Sequence, residues 1–211
     1  MPDTAGRAGT DARARVVILA GPSGSGKSRL AARLRDTHGW PIVRLDDFYR
    51  DHDHPEMPRE ESLGIIDWDH VDSWDGPGAI AALERLVTTG HTPTPVYDIS
   101  QSRAVDASEI TCGPEDLILA EGIFAAELIS PLRDRGLLHA AYCIRHRHRL
   151  LTFAFRLVRD LVERRKPPLV LIRRGWTLQR AEPALVRRLT ALGAIPMRAS
   201  EVERRLGARV G

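Results

Sequence analysis

The sequence predicts an α/β fold, three layers deep around a mainly parallel sheet. Two observations carry this. Short apolar runs alternate with stretches whose apolar residues recur at helical spacing. The first run leads through a glycine-rich loop into the first helix, the opening of a β-α-β unit. The length of 211 residues suits one domain. With 43% apolar and 28% charged residues the chain can bury a sizeable core, which argues against disorder, collagen or a disulfide-stapled miniprotein.

Taken in order, Val16 to Ala20 is a β-branched run bounded by Arg15 and Gly21 and reads as a fully buried strand. Lys27 to Asp36 carries Leu30, Ala31 and Leu34 at helical spacing and is closed by His38 and Gly39; Ile42 to Leu45 reads as a second strand. Residues 46–75, rich in His, Pro and acids, have little periodicity and are expected to form a long functional loop or broken helix. Ala79 to Val87 is a helix stopped at Gly90. Residues 91–114, with Pro93, Pro95 and Pro114, read as short extended pieces of a small flap, their pairing left open. Leu117 to Ala120 is a buried strand, followed by a helix from about Phe124 to Ile129 and a strand from Leu138 to Ile144. Arg147 to Arg164 reads as a basic helix with Leu150, Leu151, Ala154, Leu157, Val158 and Leu161 on one face, stopped at Pro167 and Pro168. Thr177 to Leu192 and Ser200 to Leu206 are further helices. The expected organisation is a disordered tail at 1–14 and a single domain at 15–211, with a basic helical lid near 145–176 and the flap near 91–114.

The formal net charge is +3, but it is divided along the chain. Residues 46–75 hold eleven acids and two arginines, whereas residues 145–188 hold thirteen basic residues and three acids. Such a division suits an enzyme that holds metal and phosphate against one another better than a protein that coats a nucleic acid. Only Lys27 and Lys166 among the 31 cations are lysines, so a lysine here points to a need for a compact charge. The first fifteen residues lack the apolar stretch of a signal peptide, and the chain is read as cytoplasmic with no membrane partner. Cys112 and Cys143 lie far apart and read as reduced core thiols.

The loop after the first strand reads Gly21-Pro22-Ser23-Gly24-Ser25-Gly26-Lys27-Ser28, a match to G-x-x-x-x-G-K-[ST]. In such a loop the glycines turn successive backbone N–H groups toward phosphate oxygens and the next helix adds its positive end. Gly21, Ser23, Gly24, Ser25, Gly26, Lys27 and Ser28 would hold the nucleotide, with Lys27 on the β- and γ-phosphates and Ser28 on Mg²⁺. The expected fold is therefore the phosphate-loop (P-loop) NTPase fold, and the expected cofactors are ATP, with GTP as the other candidate, and Mg²⁺. Glu121 follows an apolar strand at the ligand edge of the sheet and can hold the Mg²⁺ water shell. Asp46, directly after the second strand, can prepare an acceptor hydroxyl and help organise Mg²⁺.

At this point the sequence resembles the uridine-cytidine kinase group of the phosphoribulokinase/uridine kinase family. The matching stretches, in the family's order, are GPSGSGKS at 21–28, DDFYR at 46–50, DWDHVDSWD at 67–75, PVYDISQSR at 95–103, LAEGIF at 119–124 and RLVRDLVERRK at 156–166. The resemblance implies phosphorylation of a nucleoside 5′-hydroxyl, with Asp46 as general base and Ser28 and Glu121 as Mg²⁺-associated groups. It sets Asp69 against the sugar 2′- and 3′-hydroxyls and puts Tyr49, Trp68 and Tyr97 at nucleobase positions. Arg156, Arg159, Arg164 and Lys166 stand for the lid that closes over the phosphates, Arg156 facing both nucleotide and acceptor. Gln101 stands at the base end where the family carries a histidine, in a segment one residue shorter, so the acceptor base is left open. A nucleoside or similar small alcohol is the expected partner, with no nucleic acid; homo-oligomerisation is left open. The alternatives are a nucleoside monophosphate kinase or antibiotic phosphotransferase on the same scaffold, and, in another class, a nucleic-acid-binding ATPase or regulatory switch.

Overall fold

The computed structural model describes residues 15–60, 64–145 and 183–208. The expected tail at 1–14, the basic helix at 147–164 and the lid residues Arg156, Arg159, Arg164 and Lys166 lie outside the described residues. Along the chain run β1 (Val16–Ala20), α1 (Lys27–His38), β2 (Ile42–Arg44), α2 (Gly76–Thr89), β3 (His91–Asp98), β4 (Arg103–Thr111), β5 (Ile118–Glu121), α3 (Ile129–Asp134), β6 (Leu138–Ile144), β7 (Ile195–Met197) and α4 (Ala199–Gly207). Residues 183–191 are also helical.

Five strands form one parallel sheet in the order β2-β5-β1-β6-β7. All five residues of β1 are buried, as a strand covered on both faces requires. Their alternation divides the core. Val16, Ile18 and Ala20 pack with Leu83 and Leu86 of α2 and Ile129 and Leu132 of α3; Val17 and Leu19 pack with Leu30 and Leu34 of α1 and Val202 and Leu206 of α4. Helices on both faces make the three layers.

From β1 the chain passes to β2 at one edge, and β6 lies on the other flank of β1. The connections therefore diverge at the carboxyl end of β1, the crevice where open parallel sheets bind ligands. Helix α1 starts there from Gly26, held at φ 91°, and ends at Gly39, whose N–H donates to the Arg35 carbonyl in a left-handed cap. At α2 the Asp75 carboxylate accepts from the Gly78 N–H at 3.0 Å, so this helix begins before the expected Ala79.

Beside the earlier start of α2, three elements differ from expectation, and the flap, whose pairing was open, is resolved. Leu45 leaves the strand and opens a 3-10 turn, Leu45–Phe48, which carries Asp46 and Asp47. The helix expected from Phe124 starts as a 3-10 turn, Ala125–Leu128, and continues as α3 to Asp134. The flap is one antiparallel hairpin, β3 with β4, its register shifting between Val96 and Tyr97. Strand β7 was not expected from the sequence. Among the described residues no helix is long and apolar enough to cross a membrane.

Candidate active site

The glycine-rich loop bridges β1 and α1 with Gly21, Gly24 and Gly26 at φ 139°, 79° and 91°. Side chains rarely adopt such angles, so the glycines are needed for the loop's path. A Cβ on Gly21 would also strike the Ile144 carbonyl of β6, so the loop is seated tightly on the sheet end. Lys27 Nζ folds back over the loop and donates to the carbonyls of Gly21 at 2.8 Å and Pro22 at 3.2 Å. Ser23 is exposed, whereas Ser25 is buried and its hydroxyl has no hydrogen-bond partner among the described residues.

Three strands deliver the remaining polar groups to the same edge. Ser28, in the first turn of α1, donates its hydroxyl proton to Glu121 Oε2 at 2.9 Å. Glu121 ends β5 and Asp46 follows β2, the strand paired with it. Asp46 Oδ1 accepts from the Ile123 N–H at 2.8 Å, which ties the turn after β2 to the turn after β5. Gly122 makes this approach feasible, because a Cβ there would lie 2.7 Å from Asp46 Oδ1. Burial pushes the Glu121 carboxyl above its ordinary range, and the Ser28 hydroxyl and Lys27 ammonium offset part of that rise.

These groups fit a nucleotide with Mg²⁺. Ser28, Glu121 and Asp46 offer hard oxygen donors, and Mg²⁺ is commonly held through one or two carboxylates together with water and phosphate oxygens. The partnerless Ser25 hydroxyl and the inward-turning glycines make the loop a cradle for oxygens.

Beside Asp46 lies an aromatic cluster centred on Tyr49. Its ring centroid is 5.8 Å from Trp68, 6.0 Å from Tyr97 and 6.0 Å from Phe124. The three aromatic residues singled out in the sequence thus come together, although they lie on two separate loops and a hairpin. Sequence reasoning assigned no role to Phe124 and Trp74, whose rings lie 5.7 Å apart and tilted beside Tyr49; the nearest signal for Phe124 was its place just after Glu121. Tyr49 donates its phenol proton to the Trp68 carbonyl and Tyr97 to the Arg50 carbonyl, each at 3.2 Å. The cluster therefore offers ring faces rather than hydroxyls. Burial, with Asp46 and Asp69 nearby, raises the Tyr49 phenol, and burial beside Asp51 pushes Tyr97 up to about 12.

Asp69 is exposed, and its backbone N–H donates to Asp67 Oδ1 at 3.1 Å. Gln101 sits at the exposed hairpin turn and donates Nε2 to Asp98 Oδ2 at 2.7 Å. Hydrogen bonds from Ser100 and Gln101 hold the Asp98 carboxyl down at about 2. With Asp98 an acceptor, the Gln101 amide is fixed in one orientation, its carbonyl left outward. Among the described residues no group of three or more His, Cys, Asp or Glu side chains could by itself hold a metal.

The sheet order, the loop and the carboxylates at the sheet's carboxyl edge define the class: the chain has the three-layer P-loop NTPase fold. No protein-family model and no curated protein matches it. Among solved structures it is similar to one described as a "putative fructose transport system kinase" from Silicibacter sp. TM1040, with TM-score 0.57 and 22% identity over 86% of this chain and 88% of that one. A second similar structure, described as a "possible uridine kinase" from Bacillus stearothermophilus, has TM-score 0.45 and 20% identity over 77% of this chain and 83% of that one. At 22% identity the likeness to the first of these is one of fold.

Proposed function

We propose that the protein is an ATP-dependent kinase that phosphorylates the 5′-hydroxyl of a nucleoside or a similar small alcohol. The observation that supports this best is the tie between Asp46 and the turn after Glu121, which sets a carboxylate between the phosphate loop and an aromatic cluster. Aromatic faces suit a planar base, and Asp69 offers two oxygens to vicinal sugar hydroxyls. The acceptor hydroxyl oxygen forms a bond to the γ-phosphorus while the bond from that phosphorus to the β–γ bridging oxygen breaks, releasing ADP. Asp46 takes the hydroxyl proton and Lys27 faces the β- and γ-oxygens. Ser28, Glu121 and Asp46 would hold Mg²⁺, which when bound neutralises charge on those oxygens. Arg156, Arg159, Arg164 and Lys166 complete the proposal as lid cations.

The test is an ADP-release screen over nucleosides, nucleotides and small alcohols, sugars included. Ribosides are expected to be used at a kcat/KM about 5-fold or more above that of their 2′-deoxy counterparts, because the deoxy sugar offers the Asp69 carboxylate one hydroxyl donor fewer. Asp46→Asn should lower turnover about 10²-fold or more with ATP still bound. Activity confined to nucleoside monophosphates, or hydrolysis stimulated by nucleic acid alone, would defeat the proposal.

A further inference from the structure

Arg44 is the last residue of β2 and lies opposite Glu121 in the parallel register. Strand alternation puts it on the same face as Ile42, which packs against the cluster containing Leu30 and Leu34 of α1. Helix α1 begins at that edge with Lys27 and Ser28. The Arg44 side chain is 68% exposed, and its Nε lies 3.5 Å from Asp47 Oδ2. Its charge counters the effect of burial on Asp47 and acts, with Lys27, on Glu121. A guanidinium thus stands on a rigid strand at the edge where Asp46, Asp47 and Glu121 crowd three acids together.

A bound triphosphate adds further negative charge at this edge. Lys27 already donates to the loop carbonyls of Gly21 and Pro22. The planar fork of an arginine matches phosphate oxygens, and the Arg44 backbone is held in the sheet opposite Glu121. We propose that Arg44 is a phosphate-contacting residue that reads the terminal phosphate of the bound nucleotide, so that the site separates ATP from ADP. This inference rests on the nucleotide-binding part of the kinase reading and adds a residue to it.

The experiment is calorimetric titration of the full chain with Mg²⁺ and either a non-hydrolysable ATP analogue or ADP. Wild type, Arg44→Gln, Arg44→Lys and the double variant Arg44→Gln/Asp47→Asn are compared. Arg44→Gln should weaken the triphosphate about 5- to 20-fold and the diphosphate by less than about twofold, with Arg44→Lys between the two. The double variant should behave like Arg44→Gln. Equal weakening of both nucleotides overturns the inference, as does recovery of triphosphate affinity in the double variant, which would reduce Arg44 to a partner of Asp47. Wild type that binds neither nucleotide removes the phosphate-loop reading and this inference with it; wild type that binds both while Arg44→Gln leaves their ratio unchanged removes this inference alone.

Discussion

At Glu121 the requirements of the site and of the fold conflict. Burial raises its carboxyl above the ordinary 4.5, so the folded chain holds the proton more tightly than the unfolded chain. The Glu121 contribution to stability is then fully present below about pH 4.5 and is lost as the pH rises through the raised folded value, leaving the ionised carboxylate a cost at neutral pH. Glu121→Gln keeps an oxygen for the Ser28 hydroxyl and removes the charge. We expect its Tm at pH 7.5 to rise by about 2–4 °C, with no gain at pH 4, while turnover falls about 10-fold or more. Thermal denaturation at the two pH values beside steady-state kinetics measures both. A lower Tm at pH 7.5 would mean that the carboxylate stabilises the fold through its partners. The polar residues that meet at this edge were legible in the sequence because each sits at a fixed offset from a strand end: Lys27 and Ser28 close a loop, and Asp46 and Glu121 follow apolar runs. Arg44 was read only as a strand residue, since its neighbours across the sheet are set by register.

The two turns that follow β2 and β5 act as one unit, and Gly122 is the close contact between them. A Cβ there would lie 2.7 Å from Asp46 Oδ1, 2.8 Å from Leu45 Cβ and 3.2 Å from the Asp46 nitrogen, so the turn after β2 would have to move. Gly122→Ala should therefore displace Asp46 and lower turnover about 10²-fold while ATP affinity holds, at a stability cost of about 1–3 kcal/mol. Titration calorimetry with ATP, set beside kinetics, separates the two effects; unchanged turnover would release Asp46 from its proposed role. Elements whose pattern is local were readable, such as α1 and β6, the latter at its expected ends. The 3-10 turn at Leu45 was not, because its apolar residue continues the pattern of the strand before it. Strand β7 contains Pro196 and, among the described residues, has only β6 beside it, an edge position that tolerates a missing N–H. The hairpin was obscured by Pro93 and Pro95, which β3 accommodates within an eight-residue strand.

At the scale of the whole molecule, the sheet order gathers into one site residues as distant in sequence as Ser28 and Glu121, and one buried cation holds the opposite end of the sheet. Arg15 is 8% exposed. From the entrance of β1 it donates to the Val87 carbonyl at 2.8 Å, the Gly113 carbonyl at 2.6 Å and the Asp116 carbonyl at 3.4 Å. Its own carbonyl accepts from Ile118 N–H at 2.9 Å. One side chain thus fastens the last turn of α2, where a cation also opposes the helix dipole, to the loop that leads into β5. These three partners are backbone oxygens, that of Val87 buried and those of Gly113 and Asp116 partly buried, so removing the guanidinium leaves acceptors short of a donor. Arg15→Met keeps a long apolar stem in the space and deletes the three bonds. It should cost about 1–3 kcal/mol, a fall in Tm of roughly 3–10 °C, chiefly because the buried Val87 carbonyl loses its partner. Turnover of the folded variant at 25 °C should stay close to wild type, since the phosphate loop and the proposed site are at the other end of the strands. Differential scanning calorimetry with an activity assay on the same preparation tests both halves. A Tm within about 2 °C of wild type would show that water or a local shift satisfies these carbonyls without Arg15.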